Sequence, residues 1–467
     1  MKKDYTGQRI TIMGLGLNGG GVASARFFVH RGAQVTVTDL RTEVELAASL
    51  EALKGLPLRF VLGRHDEADF READLVVKNP AVRPQNPYLA LARQIATDLS
   101  VFLSEVDNPV YAVTGSKGKS TTATALHAIF QRHDERSLLG GNIAVSPLSF
   151  LDQLRPGAPV ILELSSWQLA DLRGMGVLQP QIAAVTNLLW DHMNVYARQE
   201  DYAADKAVIF EGQTPQTWSL VGLDDWGRWF AERTKAQKAV FSLKGRPETF
   251  PADAGFLSWL DQTGGWGLSS QNSNPQRLLP ENLRVPGPIF RGNCLIAATM
   301  AYLAGVPLSV IHEALEAFPG VSHRLELFWE AQGVQFFDDT AATIPEAAVS
   351  SFSAFTVPVR WLAGGTDKNL DLKAWEELST PPATLVLLGG SATDRLLPVL
   401  KQKGWTWSGP FRTMKEAVSV LLEASRPGDV VLLSPGAASF ELFLNEFDRG
   451  RQFQNAVREL RPQGRRP

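Results

Sequence analysis

Val110-Tyr111-Ala112-Val113-Thr114-Gly115-Ser116-Lys117-Gly118-Lys119-Ser120-Thr121-Thr122 is an apolar run that breaks into a glycine-rich turn and then into helix-compatible residues. A strand, such a turn and a helix, in that order, build a phosphate cradle. The glycines let backbone N–H groups point into one concavity, and the helix adds the positive end of its dipole. In this pattern Gly115, Ser116, Lys117, Gly118, Lys119, Ser120 and Thr121 are candidate ATP-binding residues, with Lys119 reaching the terminal phosphates and Ser120 or Thr121 holding Mg²⁺. The usual spacing places four residues between the first glycine and the Gly-Lys pair. Here only Ser116 and Lys117 stand there.

The alternation of strand and helix continues on both sides, which predicts an α/β chain with doubly wound parallel sheets. The 467 residues suit about three domains, expected over residues 1–107, 108–320 and 321–467. Upstream, a strand over 9–13 runs into Gly14-Leu15-Gly16-Leu17-Asn18-Gly19 and a helix to about Arg31, and a second strand ends at Asp39. Downstream strands are expected over 159–164 and 181–186, then over 334–337, 359–362, 384–388 and 430–433. The stretch 245–288 is read as loops and short strands, with a helix from about Asn293 to Ala304. The basic end, Arg449 to Pro467, is read as a solvated helix and a frayed terminus.

Composition narrows the function. Forty-six Lys and Arg balance 49 Asp and Glu, for a formal charge of −3, so neither nucleic acid nor an anionic membrane is an expected partner. One cysteine, Cys294, excludes an internal disulfide and suits core packing in a reducing cytosol. No signal core opens the chain and no apolar run reaches membrane-spanning length. A cytoplasmic, monomeric enzyme is expected.

Three further segments carry chemistry. Gly14, Gly16 and Gly19 with Asp39 match a dinucleotide fingerprint, yet the physics asks only for an anion at a helix N-terminus, so another nucleotide pyrophosphate fits equally. Glu163 ends a strand beside the cradle and is a natural Mg²⁺ ligand; its bland alternative is a helix-start carboxylate. His192, one of only seven histidines, follows the next strand and is a candidate metal or phosphate ligand, against the plainer role of a structural histidine. Lys206, on a predicted helix, is by default solvated.

Together these segments resemble the Mur ligases, ATP-dependent amide-forming enzymes of peptidoglycan precursor synthesis. The compressed Thr114-Gly115 to Ser120-Thr121 turn is similar to that family's P-loop. Gly140-Gly141-Asn142-Ile143, Glu163-Leu164-Ser165-Ser166-Trp167-Gln168, Ser322-His323-Arg324-Leu325-Glu326, Gly364-Gly365-Thr366-Asp367-Lys368 and Ser434-Pro435-Gly436-Ala437-Ala438-Ser439-Phe440 resemble, in order, the branch that adds D-glutamate to UDP-N-acetylmuramoyl-L-alanine.

The resemblance implies a Rossmann-like N-terminal domain holding the UDP moiety through Leu17, Asn18, Asp39 and Arg41, with Asn142 orienting the muramoyl group. It implies a central domain binding ATP and two Mg²⁺, with Ser120, Glu163, His192 and a carbamylated Lys206 as metal ligands. Lys119, His192 and Lys206 are the implied catalytic residues. Asn293, His323, Arg324 and Asp339 would complete the nucleotide site. A Rossmann-like C-terminal domain would bind glutamate through Thr343, Lys368, Ser439 and Phe440. The implied reaction passes through an acyl phosphate on the substrate's terminal alanine, which glutamate's amine then displaces.

The chain also departs from that pattern. Asp339-Thr340-Ala341-Ala342-Thr343 stands where the family has Asp-Ser-Lys-Ala-Thr, so a lysine is missing at Ala341. Lys117 replaces an asparagine usual inside the P-loop and is a candidate replacement cation. Gly292 stands for a histidine beside Asn293, Ala81 for a glycine after Asn79-Pro80, and Phe440 for a common leucine. The competing readings are the same chemistry with L-glutamate or another amino acid, a folylpolyglutamate synthase relative, and an inactive nucleotide-binding relative. The complete N-terminal domain counts against the folate enzyme. Joint retention of Lys119, Glu163, His192 and Lys206 counts against the inactive one.

Overall fold

Short apolar runs buried on both faces pair in parallel, because the connecting helices cover each side of the sheet. The computed structural model describes residues 3–17, 19–143, 146–189 and 196–466. Two expected site residues, Asn18 and His192, lie outside the described residues. The chain forms two units, residues 1–279 with 293–314 and residues 280–292 with 315–467.

The first unit holds two sheets. Strands β1 (Arg9–Met13), β2 (Gln34–Asp39), β3 (Leu58–Leu62), β4 (Leu75–Lys78) and β5 (Ile95–Ala96) form a parallel sheet of order β3-β2-β1-β4-β5. Its strand order reverses between β1 and β4, which is where ligands of open α/β sheets bind. The second sheet comprises β6 (Val110–Thr114), β7 (Leu138–Gly141), β8 (Val160–Glu163), β9 (Ile182–Val185), β10 (Trp218–Gly222), β11 (Gln237–Ser242), β12 (Phe256–Asp261), β13 (Gly264–Ser269) and β14 (Gln276–Arg277). Its order is β14-β13-β12-β11-β10-β9-β6-β8-β7, parallel except for the antiparallel β12-β13-β14 edge. The stretch 245–288, read as loops and short strands, contains the β12–β13 hairpin. A buried ion pair, Lys78 Nζ to Asp171 at 2.6 Å, ties the first sheet to the Ser166–Leu172 helix over the second.

The second unit contains β15 (Glu326–Ala331), β16 (Val334–Asp338), β17 (Val359–Ala363), β18 (Thr384–Leu388), β19 (Ser408–Phe411) and β20 (Val430–Leu433), in the order β15-β16-β20-β17-β18-β19. The last strand inserts between β16 and β17, so the loops after all three share one sheet edge. Strands β15 and β19 were not anticipated. Beneath the sheet Phe352, Trp361 and Trp375 stack with ring centroids 4.6 and 4.4 Å apart.

Two expectations are corrected. The helix expected from Asn293 runs Pro288–Leu303, because Pro288 sits where a helix tolerates it best and Gly287, at φ 99°, turns the chain into it. The tail is not a solvated helix. Glu446–Leu460 buries Arg449, Phe453 and Val457 completely, and Arg465 bridges back to Glu330. Phe453 and Val457 recur at helical spacing and join the apolar core of β16, β17 and β20, which stabilises by roughly 2 kcal/mol per fully buried large side chain. No helix among the described residues is long and apolar enough to cross a membrane.

Candidate active site

Gly115 to Gly118 leave β6, which lies between β9 and β8 in the second sheet, and the Lys119–His133 helix starts directly behind them. Its N-cap, Gly118, adopts φ 83° and offers no side-chain cap, so the first-turn N–H groups face the concavity. A side chain at Gly115 would collide with the Thr186 hydroxyl, and one at Gly118 with the Asn293 amide. The loop is clamped from β9. Ser116 N donates to Asn187 O at 2.9 Å, Lys117 N to Asn187 Oδ1 at 3.0 Å, and Thr186 Oγ1 to Lys117 O at 2.6 Å. Thr186 and Asn187 were missed as site residues; their signal was two polar residues at the end of the strand beside the P-loop. Asn293, 8% exposed, places its amide against Gly118.

Lys119 folds back over the loop, with Nζ 3.0 Å from both Gly115 O and Ser116 O. Ser120 Oγ donates to Glu163 Oε2 at 2.8 Å, and Asn142 Nδ2 donates to Glu163 Oε1 at 3.2 Å. Glu163 is 1% exposed and ends β8, adjacent to β6. A hydroxyl and a carboxylate touching at the mouth of an uncapped helix form a hard-oxygen donor set that suits Mg²⁺ and phosphate. The residues present therefore fit a magnesium–nucleotide ligand.

Lys206 is not the solvated lysine that its helix position suggested. It is 1% exposed, its Nζ donates to Gly115 O at 2.8 Å, and it lies 4.4 Å over the Tyr202 ring. The structure thus aims two lysine amines at one carbonyl. Lys117, by contrast, presents an exposed side chain from an anchored backbone.

At the switch point of the first sheet a cavity of about 840 Å³ is lined by Leu17, Asp39, Arg41, His65, Asn79 and Arg83, among others. Asp39 is 5% exposed, and its carboxylate accepts from Gly16 N at 3.0 Å and Arg41 N at 2.9 Å. Its visible role is to hold the glycine turn in place beside the cavity. Burial pushes the His65 imidazole below its usual pKa. Ala81, the residue in place of a glycine, also lines the cavity.

The second unit gathers the remaining expected residues at the shared edge of β16, β20 and β17. His323 takes φ 63° and its Nδ1 lies 2.7 Å from Asp338 Oδ2; that hydrogen bond raises its pKa. Arg324 beside it is exposed. His323, Glu326 and Asp338 have the geometry of a metal-ligand trio, but Gln454 Nε2 donates to both carboxylates, at 3.1 and 2.9 Å. Arg458 donates to Gln454 Oε1 at 3.0 Å and so fixes the amide's orientation. The trio is a filled hydrogen-bond network. Asp339 accepts from Ser434 Oγ at 2.6 Å and Leu325 N at 3.0 Å, and burial raises its pKa to about 6.

Lys368 is exposed with Nζ 5.1 Å over the Phe440 ring, and Phe440 is itself 59% exposed. Ser439 is 2% exposed, and its hydroxyl has no hydrogen-bond partner among the described residues, as suits a group that waits for a ligand oxygen. Thr343 is half-buried just after Ala341.

Residues 113–300 match the family model of the Mur ligase middle domain, and residues 8–100 that of the Mur ligase MurD-like N-terminal domain. The chain is 40% identical over 458 residues to the UDP-N-acetylmuramoylalanine--D-glutamate ligase of Borreliella afzelii, covering 96% of each chain. It is 37% identical over 519 residues to the enzyme of that name from Treponema pallidum, covering 97% of this chain and 98% of the relative. Among solved structures, MurF from Acinetobacter baumannii shares the fold, with a TM-score of 0.58 at 18% identity and 91% of each chain covered.

Proposed function

The chain belongs to the Mur ligase family, alongside the UDP-N-acetylmuramoylalanine--D-glutamate ligases, and from that premise we propose that it joins D-glutamate to UDP-N-acetylmuramoyl-L-alanine in peptidoglycan precursor synthesis. It is an ATP-dependent amide-forming ligase. The observation that carries the reading is the Ser120–Glu163–Asn142 set at the mouth of the phosphate cradle.

Bound Mg²⁺–ATP supplies a transferable phosphoryl group and neutralises its charge. This chain's residues do the positioning. Lys119 swings from its loop carbonyls to the terminal phosphate. Ser120, Glu163, His192 and Lys206 are assigned as holders of two metal ions. Leu17, Asn18, Asp39 and Arg41 hold the uridine end of the substrate, and Asn142 steers the muramoyl group so that the alanyl carboxylate accepts the phosphoryl group. Asn293, His323, Arg324 and Asp339 hold the nucleotide. Thr343, Lys368, Ser439 and Phe440 hold glutamate, so that its amine attacks the activated carbonyl and phosphate leaves. Working boundaries are 1–107 for the UDP domain, 108–320 for the ATP domain and 321–467 for the acceptor domain. The enzyme is assigned to the cytoplasm as a monomer.

The geometry gives Lys206 a reason to be carbamylated. Its amine and that of Lys119 converge on Gly115 O, and two like charges sharing one acceptor repel. Reaction of the neutral Lys206 amine with CO₂, with loss of a proton, replaces that repulsion by attraction and supplies a hard oxygen ligand.

The test is direct. The protein is incubated with UDP-N-acetylmuramoyl-L-alanine, Mg²⁺–ATP and either D- or L-glutamate, and phosphate is measured. Release with D-glutamate alone is expected. Release with L-glutamate alone, or with neither, overturns the assignment.

A further inference from the structure

We infer that Arg449 is the positioning residue of the acceptor site, a buried guanidinium that sets the three acceptor loops in register and lends the site its positive charge. The inference rests on reading those loops as the glutamate site.

Arg449 sits in the first turn of the Glu446–Leu460 helix and is 0% exposed. Its planar fork reaches two loops at once. Nε donates to Thr340 Oγ1 and Nη2 to Thr340 O, both at 3.0 Å, on the loop that leads through Ala341 to Thr343. Nη1 donates to Ala437 O at 3.0 Å and Ala438 O at 3.1 Å, immediately before Ser439. The third loop lies against the same group. Gly365 takes φ 143°, and a Cβ there would meet Ala438 O and come within 3.4 Å of Arg449 Nη1. Thr366 and Ala438 exchange two backbone hydrogen bonds, of 2.9 and 3.0 Å, which ties this loop to the second. One side chain thus bonds the loops that carry Thr343 and Ser439, and the loop that carries Lys368 is tied to the second of these beside it.

The charge is as telling as the geometry. All four hydrogen-bond acceptors are neutral oxygens, so no carboxylate among the described residues pairs directly with the guanidinium. Glu446 and Asp338 act on it only through space, and burial lowers its pKa to about 10, which leaves it a cation at neutral pH. A buried cation with no bonded counter-ion is costly and is kept where its charge is used. An acceptor carrying two carboxylates is the complementary ligand. A lysine could keep the charge but not the fork, because only a guanidinium presents five donors in one plane.

The experiment uses the full-length enzyme and steady-state kinetics for all three substrates, with thermal unfolding as a control. Arg449→Lys is expected to raise KM for D-glutamate about tenfold, the equivalent of losing one charge-assisted hydrogen bond. The same variant leaves KM for ATP and for the UDP substrate within about twofold. Arg449→Met, which removes the charge as well, is expected to raise KM for D-glutamate further. Unchanged KM for D-glutamate in both variants overturns the inference. So does a proportional rise of all three KM values with a fall in unfolding temperature, since that is the mark of a structural staple alone. If the arginine variants do not fold, Thr340→Val removes one of the four bonds, together with the Thr340 Oγ1 donation to Glu446 O, and leaves Arg449 in place. A rise confined to the KM for D-glutamate supports the role, and no rise overturns it. A wild-type enzyme that ligates no glutamate would instead sink the reading of the acceptor site, and this inference with it.

Discussion

The phosphate cradle and the acceptor loops do similar work by opposite construction. The cradle is held mainly by its own backbone and by the strands on either side of it. Lys119 reaches a carbonyl four residues away, and the clamping residues Thr186 and Asn187 directly follow the adjacent strand β9. The acceptor loops come from three strands and meet on a guanidinium 109 residues along the chain from Thr340. A motif of the first kind tolerates little change within a few residues. A cluster of the second kind is governed by a residue that no local motif contains.

Perturbations should separate the two regions, and the largest effect belongs to the cradle. Glu163→Gln keeps the shape and the hydrogen bond from Ser120 but removes the anionic ligand; kcat should fall by about 10³-fold or more with the unfolding temperature unchanged. A loss below tenfold would take Glu163 out of the metal site. Next, Lys206→Ala should lose about 10²-fold, and short-chain carboxylates should restore part of it by taking the carbamate's place. Full activity without rescue would leave Lys206 as packing against Tyr202.

The second unit should answer more gently, through pH. Asp339 is buried and its pKa is raised to about 6, so its proton stabilises the fold below the ordinary carboxylate range and that contribution is lost as pH rises through 6. On the proposed role of Asp339 in holding the nucleotide, the ionised carboxylate is the form that accepts a hydrogen bond from it. KM for ATP should therefore climb several-fold as pH falls through about 6, and Asp339→Asn should flatten the profile. A wild-type profile in that variant would assign the pH dependence elsewhere. The smallest effect is expected at Lys117. Exposed on the cradle, it is the candidate for the cation absent at Ala341, and Lys117→Asn should lower kcat about fivefold, the scale of one solvent-screened charge. Unchanged turnover would end the compensation idea.

What the sequence made legible follows the same division. The strand–turn–helix of Val110 to Thr122 is a local pattern, and Glu163 was readable because a carboxylate ending a strand beside a P-loop has few other tasks. Lys206 reads as solvated from its helix position alone, and only the family resemblance assigns it to the metal site; its burial depends on where the Gln199–Ala207 helix packs, 91 residues from Gly115. Arg449 was the larger failure. A basic terminal stretch reads as solvent-facing, and only the insertion of β20 between β16 and β17 brings its helix beneath the loops. Gly292 and Asn293 looked like a helix start, whereas glycine is tolerated inside a helix that Pro288 has already begun.

The central claim is that the cradle serves phosphoryl transfer to a carboxylate that an amine then attacks. It is tested by labelling the alanyl carboxylate of the UDP substrate with ¹⁸O and analysing the released phosphate by mass spectrometry. One labelled oxygen should pass to phosphate in each turnover, and only when D-glutamate is present. Unlabelled phosphate alongside amide product would contradict the account.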